Sequence, residues 1–153
     1  MTLRQLVRSA PRWESAALGQ VLVVENPSVV ALAADMVGTR ATPIVCTNGQ
    51  PRAAVMVLLR SLADAGVRLL HHGDFDWGGL TIGNLLHRRL PVEAWRFDGD
   101  AYLRAVAAHP HAAALTGSPT QAGWDPGLAE AMREHGRRIE EELVAVELLA
   151  ELA

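Results

Sequence analysis

The chain has 153 residues, half of them apolar and 20% charged, which is one domain's worth of material and excludes an intrinsically disordered protein. The single cysteine, Cys46, rules out a disulfide framework and a four-thiolate zinc site. The net charge is −3 and the 14 basic residues are all arginine, so there is no general pull toward nucleic acid. Any DNA contact must come from local arginines or a bound metal.

Residues 1–19 read as a short helical or irregular lead-in that ends in a turn near Gly19. Arg4, Arg8 and Arg12 are spread through it, with no apolar run of the kind a signal peptide has. A strict alternation of short apolar runs and helical patterns follows. Gln20–Val24 (QVLVV) is continuous and β-branched, as a strand buried on both faces should be. Asn26-Pro27 supplies a cap and a first-turn proline for the helix SVVALAADMV. A second strand is expected at Pro43–Cys46, then the turn TNGQ and a helix over Arg52–Ala65 stopped by Gly66. Val67–His71 is the third strand, followed by the loop GDFDWGG, a helix over Leu80–Arg89 and a fourth strand at Val92–Trp95.

The tail has a different character. Asp98 or Asp100 caps a short helix over AYLRAVAAH, and a Pro/Gly/Ser-rich loop runs to Ala122. Asp125-Pro126 then opens one long final helix, with Leu128, Met132, His135, Ile139, Leu143, Val146 and Leu149 at three- and four-residue spacing. That helix is expected to pack on the sheet, with a self-association seam, and hence a homodimer, as the alternative. The longest stretch free of charged residues, Ala105–Trp124, is broken by histidines, prolines and glycines and will not span a bilayer. A cytoplasmic protein without membrane contact is the expectation.

Three or four βα units in succession imply an α/β fold with a Rossmann-like parallel sheet of about four strands flanked by helices, extended at the C-terminus by further helices. The expected division is a lead-in over 1–19, an α/β core over 20–97 and a helical extension over 98–153 packed on that core. In such sheets ligands bind at the carboxyl ends of the strands.

Acidic residues stand at those ends. Glu25 closes the first strand, and Asp74 and Asp76 follow the third. If those strands are neighbours their ends lie roughly 5 Å apart, and the three carboxylates converge. Two such charges about 4 Å apart repel by roughly 4 kcal/mol at an effective dielectric near 20. A cluster of this kind keeps a proton or holds a cation, and no lysine exists to neutralise it. A hard divalent ion with oxygen ligands, Mg²⁺ or Mn²⁺, is the natural occupant, completed by water and substrate phosphate. Taken singly, Glu25 also reads as a solvated or capping residue and the Asp-x-Asp as a turn. Thr47, Asn48, Gly49, Gln50, Pro51 and Arg52 end the second strand on the same edge and open a helix. With Pro51 in the first turn and Arg52 beside it, backbone N–H groups there suit a phosphate, although an ordinary strand-to-helix turn has the same composition.

These segments carry a resemblance. A strand ending in Glu (VLVVEN), a glycine-proline turn (TNGQP) and an Asp-x-Asp (GDFDWGG) resemble the Toprim fold, in the branch of the topoisomerase VI A subunit. On that resemblance Glu25, Asp74 and Asp76 match the metal-site acids and Gly49-Gln50-Pro51 the turn, over about residues 20–97. More narrowly, TLRQL, VVENPSVV, CTNGQP, HHGDFDWGG and WDP…EEELVAVELL resemble the C-terminal domain of bacterial Toprim proteins encoded beside SMC-like ATPases. Those proteins are similar to the nuclease subunit of Wadjet anti-plasmid systems.

The resemblance implies a metal-dependent DNA-cleaving subunit within a larger complex. Full-length members carry a further N-terminal DNA-binding part that is not among these residues. Topoisomerases cleave through a tyrosine, whereas the only tyrosine here, Tyr102, lies outside the matched core in an ordinary helix pattern. Hydrolysis is therefore expected, with Asp74 and Asp76 holding the ion and Glu25 a further ligand or the general base. A non-catalytic DNA-binding or dimerisation module with a vestigial metal site is the competing expectation. A haloacid-dehalogenase-like phosphatase fits less well, because its Asp-x-Asp belongs on the first strand beside a lysine.

Other residues read more plainly. One of His71 and His72 should point into the sheet's packing and the other toward a helix, since side chains alternate along a strand, with proton transfer by His72 as an alternative role. Cys46 reads as a small buried hydrophobe. Trp77 reads as a core anchor or, beside Asp76, as a stacking surface for a base. Arg88 and Arg89 suit a helix C-terminus. Glu140, Glu141 and Glu142 point in successive directions around the last helix, so at most one reaches the site, and a solvated face is expected.

Overall fold

The computed structural model describes residues 1–9 and 11–151. Among them four strands form one parallel sheet in the order β2-β1-β3-β4, with β1 Gln20–Val24, β2 Ile44–Cys46, β3 Arg68–His71 and β4 Val92–Ala94. Eight α-helices accompany it, α1 Leu3–Arg8, α2 Ser15–Leu18, α3 Pro27–Met36, α4 Ala53–Asp64, α5 Trp77–Arg89, α6 Gly99–Ala108, α7 Pro126–His135 and α8 Glu141–Ala150. The fold is α/β and Rossmann-like. No described helix is long and apolar enough to cross a membrane.

Side chains alternate along the strands and so build two separate cores. Val21, Val23, Leu69 and Val92 pack with Leu59 and Leu62 of α4 and with Ile82 and Leu86 of α5. On the other face Leu22, Val24 and Leu70 pack with Val29 and Ala33 of α3 and with Ala145 and Leu149 of α8. The chain leaves β1 toward one edge of the sheet and returns past it to β3 and β4. β1 and β3 are therefore adjacent, and the helices that follow them, α3 and α5, lie on opposite faces. A crevice opens at the carboxyl ends of two strands that diverge in this way.

Local chemistry explains most boundaries. Asn26 caps α3 by accepting from the Ser28 N–H at 2.9 Å, with Pro27 in the first turn. Asp98 and Asp125 cap α6 and α7 in the same manner. α5 begins at Trp77, three residues before the expected start, because Asp76 is its cap and accepts from the Gly79 N–H at 2.7 Å. α4 begins at Ala53 with Arg52 as an extended cap residue, so Pro51 and Arg52 precede the first turn instead of lying within it. The lead-in is pinned to α4, where the Trp13 indole N–H donates to Ser61 Oγ at 3.0 Å.

The single long C-terminal helix does not form. Gly136 caps α7 in the left-handed conformation at φ 61°. The chain then runs extended, pairing Arg137 with Ala114 and Ile139 with Phe75 in antiparallel bridges, before α8 starts. This break resets the helical phase. Leu143 and Val146, expected inside, are 43% and 55% exposed, while Val144, Ala145, Leu148 and Leu149 are buried. The 98–151 segment shares a third core with the sheet's loops, in which Phe75, Trp77 and Leu80 pack with Phe97, Tyr102, Leu128, Met132 and Ile139.

Candidate functional site

Continuing the β1–β3 register, in which Val23 faces His71, sets Glu25 level with Gly73. A Cβ on Gly73 would stand 3.3 Å from Glu25 Oε2, so glycine leaves that carboxylate its space. Oε2 is buried and has no hydrogen-bond partner. The Glu25 carboxyl is pushed up to about 8, first by burial and then by the charge of Asp74. The Asp74 backbone N–H pulls the other way, and Asp76 and Glu141 add to the rise.

Asp74 lies on the loop after β3. Its Oδ1 accepts from the Glu141 N–H at 2.6 Å. Burial again leads in raising its pKa to about 6; the Glu141 N–H opposes the rise, while the charges of Glu141, Asp76 and Glu140 reinforce it. Asp76 has one oxygen engaged as the cap of α5. Glu25, Asp74 and Asp76 thus share one electrostatic region at the ends of adjacent strands, and no arginine forms an ion pair with any of them among the described residues.

Glu141 belongs to this region too, and it is fully buried. Its Oε2 accepts from the Glu25 N–H at 2.9 Å and the Asn26 N–H at 2.8 Å, and its Oε1 lies 3.2 Å from His72 Nδ1. The expected solvated face is wrong for this residue. The signal was present in the sequence, because Glu141 is in phase with Val144, Ala145, Leu148 and Leu149 at the i+3, i+4, i+7 and i+8 positions of an apolar stripe. The assumed long helix obscured that phase.

The loop after β2 reaches the same end of the sheet. The Thr47 N–H and hydroxyl both donate to the Val24 carbonyl, at 2.8 and 3.3 Å, and the Gly49 N–H donates to the Glu25 carbonyl at 3.4 Å. Thr47 is therefore buried and engaged in the sheet, while Asn48, Gln50 and Arg52 are exposed. Cys46 is half-buried with its thiol donating to the Glu25 carbonyl at 3.4 Å, and burial raises its pKa.

The histidines take opposite faces, as alternation requires. His71 packs edge-on against Phe97 and Trp124 and is held neutral, its pKa lowered to about 3 by burial and then by His87 and His72. Trp77 is a buried core anchor with the Arg133 guanidinium 5.9 Å from its ring. Tyr102 is buried and its hydroxyl donates to the Arg137 carbonyl at 2.9 Å.

The donor set is hard carboxylate oxygen, and the partnerless Glu25 Oε2 is the kind of atom a cation satisfies. Among the described residues no three His, Cys, Asp or Glu side chains close into a metal-holding group. Mg²⁺ asks for less than a cage, since it keeps several waters and takes one or two carboxylates plus substrate phosphate. Glu25 with the second oxygen of Asp74 or Asp76 meets that requirement.

A family model described as "Protein of unknown function C-terminus (DUF2399)" matches residues 1–152, and the chain belongs to that family. No curated protein and no solved structure matches it.

Proposed function

We propose that this member of the DUF2399 C-terminal family is a Toprim-type, metal-dependent DNA nuclease domain that hydrolyses phosphodiester bonds. In this reading it acts as part of a larger SMC-like plasmid-defence complex related to Wadjet systems, in the cytoplasm. The observation that supports it is that Glu25, Asp74 and Asp76 stand in one electrostatic region at the ends of β1 and β3, with Glu25 and Asp74 both pushed toward the protonated form and one Glu25 oxygen left without a partner. Paired carboxylates that resist joint ionisation at a strand-end crevice suit a divalent cation.

Mg²⁺ or Mn²⁺ would be held by one or two of the carboxylates Asp74, Asp76 and Glu25, with water completing its shell, and when bound would stabilise charge on the scissile phosphate. The chain's own groups supply the rest. Glu25 is placed to hold or accept a proton from an attacking water if it is not itself a ligand. The exposed Asn48, Gln50 and Arg52, with the loop N–H groups, supply contacts to DNA phosphate. Tyr102 supports hydrolysis over transesterification, because its hydroxyl is buried against Arg137.

The test is incubation of the purified chain with supercoiled plasmid in Mg²⁺ or Mn²⁺, beside Glu25→Ala, Asp74→Ala and Asp76→Ala. Nicking or linearisation by the wild type and its loss in the variants is expected. Cutting that persists in all three would sink the reading.

A second reading has its own observation. Asp74 and Asp76 each engage a backbone N–H, as they would in a non-catalytic DNA-binding or dimerisation module with a vestigial metal site. Thermal melting with millimolar Mn²⁺ separates the two, since a site that binds the ion raises the melting temperature and a scaffold does not.

A further inference from the structure

The backbone ladder between β1 and β3 ends at the His72 N–H, which donates to the Val23 carbonyl at 3.0 Å. Beyond it the two chains part toward opposite faces, Glu25 leading into α3 and Asp74 into α5. No strand pairing holds the two carboxylates relative to each other. Beyond the ladder the Asp74 N–H turns toward the Glu25 carboxylate, and residue 141, brought in from a segment more than sixty residues away from either, ties both chains. Its carboxylate holds the Glu25 and Asn26 N–H groups through one oxygen and His72 Nδ1 through the other, and its own N–H donates to Asp74 Oδ1. The antiparallel bridge between Ile139 and Phe75, with N···O distances of 2.9 and 3.3 Å, seats this strap two residues earlier.

We infer that Glu141 is a positioning residue for the cation site, a buried clamp that sets the separation of Glu25 and Asp74 without itself touching the ion. The inference rests on the metal-site reading above. Both carboxylate oxygens and the N–H of Glu141 are engaged by protein, whereas Glu25 Oε2, buried beside Gly73, has no hydrogen-bond partner. Outer groups that orient metal ligands in this way contribute to affinity nearly as strongly as the ligands themselves.

The experiment is Mn²⁺ titration of the full chain by calorimetry, with wild type, Glu141→Ala, Glu141→Asp, Glu141→Gln and Glu25→Ala, alongside plasmid cutting and thermal melts. Glu141→Ala and Glu141→Asp are expected to weaken Mn²⁺ binding about 10- to 100-fold. The shorter aspartate keeps the charge but loses the reach. Glu141→Gln keeps a carbonyl oxygen for the two N–H groups and an amide for His72, and is expected to restore affinity close to the wild-type value. If Glu141→Ala does not fold, Glu141→Asp and Glu141→Gln decide. Wild-type affinity in Glu141→Asp, or in a folded Glu141→Ala, would overturn the inference while Glu25→Ala still abolished binding. A wild type that takes up no Mn²⁺ would overturn the metal-site reading and the clamp together.

Discussion

The sheet half of the molecule, residues 20–97, and the helical half, residues 98–151, use their acidic side chains differently. In the helical half Asp98 accepts from the Ala101 N–H, Asp125 accepts from both the Gly99 and Gly127 N–H groups, and Glu141 is saturated by two N–H groups and a histidine. These acids hold backbone. In the sheet half Glu25 has a buried oxygen with no partner and a carboxyl pushed up to about 8. An acid with its oxygens engaged by N–H donors has its charge stabilised in place. A buried oxygen without such a donor, as Glu25 Oε2 is, is left to a proton or a cation. Asp74 and Asp76 stand between, each with one oxygen engaged by a backbone N–H.

The largest expected effect breaks the loop on which the comparison turns. A Cβ at Gly79 would overlap the Asp74 carbonyl oxygen, so Gly79→Ala should cost more than about 3 kcal/mol or prevent folding. Urea denaturation monitored by circular dichroism reads this, and wild-type stability would refute the close packing of the Asp loop on α5.

The next effect isolates the open acid of the sheet half. The folded-state pKa of Glu25, about 8, lies above its ordinary 4.5, so the native state binds the extra proton. That stabilisation is fully present below about pH 4.5 and is lost as pH rises through about 8. The metal-free melting temperature should therefore fall between about pH 6.5 and 8, and Glu25→Gln should flatten the slope. Saturating Mn²⁺ should raise the wild-type melting temperature more at pH 8 than at pH 6.5. An unchanged slope in Glu25→Gln would remove Glu25 from the account. Below its ordinary pKa of 6.5 the buried His71, lowered to about 3, acts oppositely and loses stability as pH falls, which is why the window above 6.5 is the informative one.

Two smaller effects probe the helical half. Tyr102→Phe leaves the Arg137 carbonyl and N–H without their hydroxyl partner and should cost about 2 kcal/mol. Gly136→Ala places a side chain in the left-handed conformation with no neighbour to clash against and should cost about 1 kcal/mol. Chemical denaturation measures both. A stabilised Gly136→Ala would mean that α7 and α8 run on as one helix, contrary to the strap that delivers Glu141.

Most of the sheet half was legible in the residues. QVLVV marks β1 to the residue, Asn26 caps the helix expected of it, and the alternation of runs implies the parallel sheet. Glu25, Asp74 and Asp76 were legible as acids at strand ends. The C-terminal helices were misread because three- and four-residue spacing continues across Gly136, and a periodic pattern does not report that an extended strap interrupts it.

Sequence alone thus determined the order of strands and helices as far as α6, the caps at Asn26, Asp98 and Asp125, and which residues bring charge to the strand ends, because periodicity and capping act over a few neighbouring residues. Tertiary structure decided that β1 and β3 are neighbours, which makes three separate acids one region. It also decided that one glutamate of a run of three is buried 116 residues from the backbone it holds. The environment of a buried carboxylate is set by whichever distant N–H groups the packed core brings to it, and no local pattern encodes that partner.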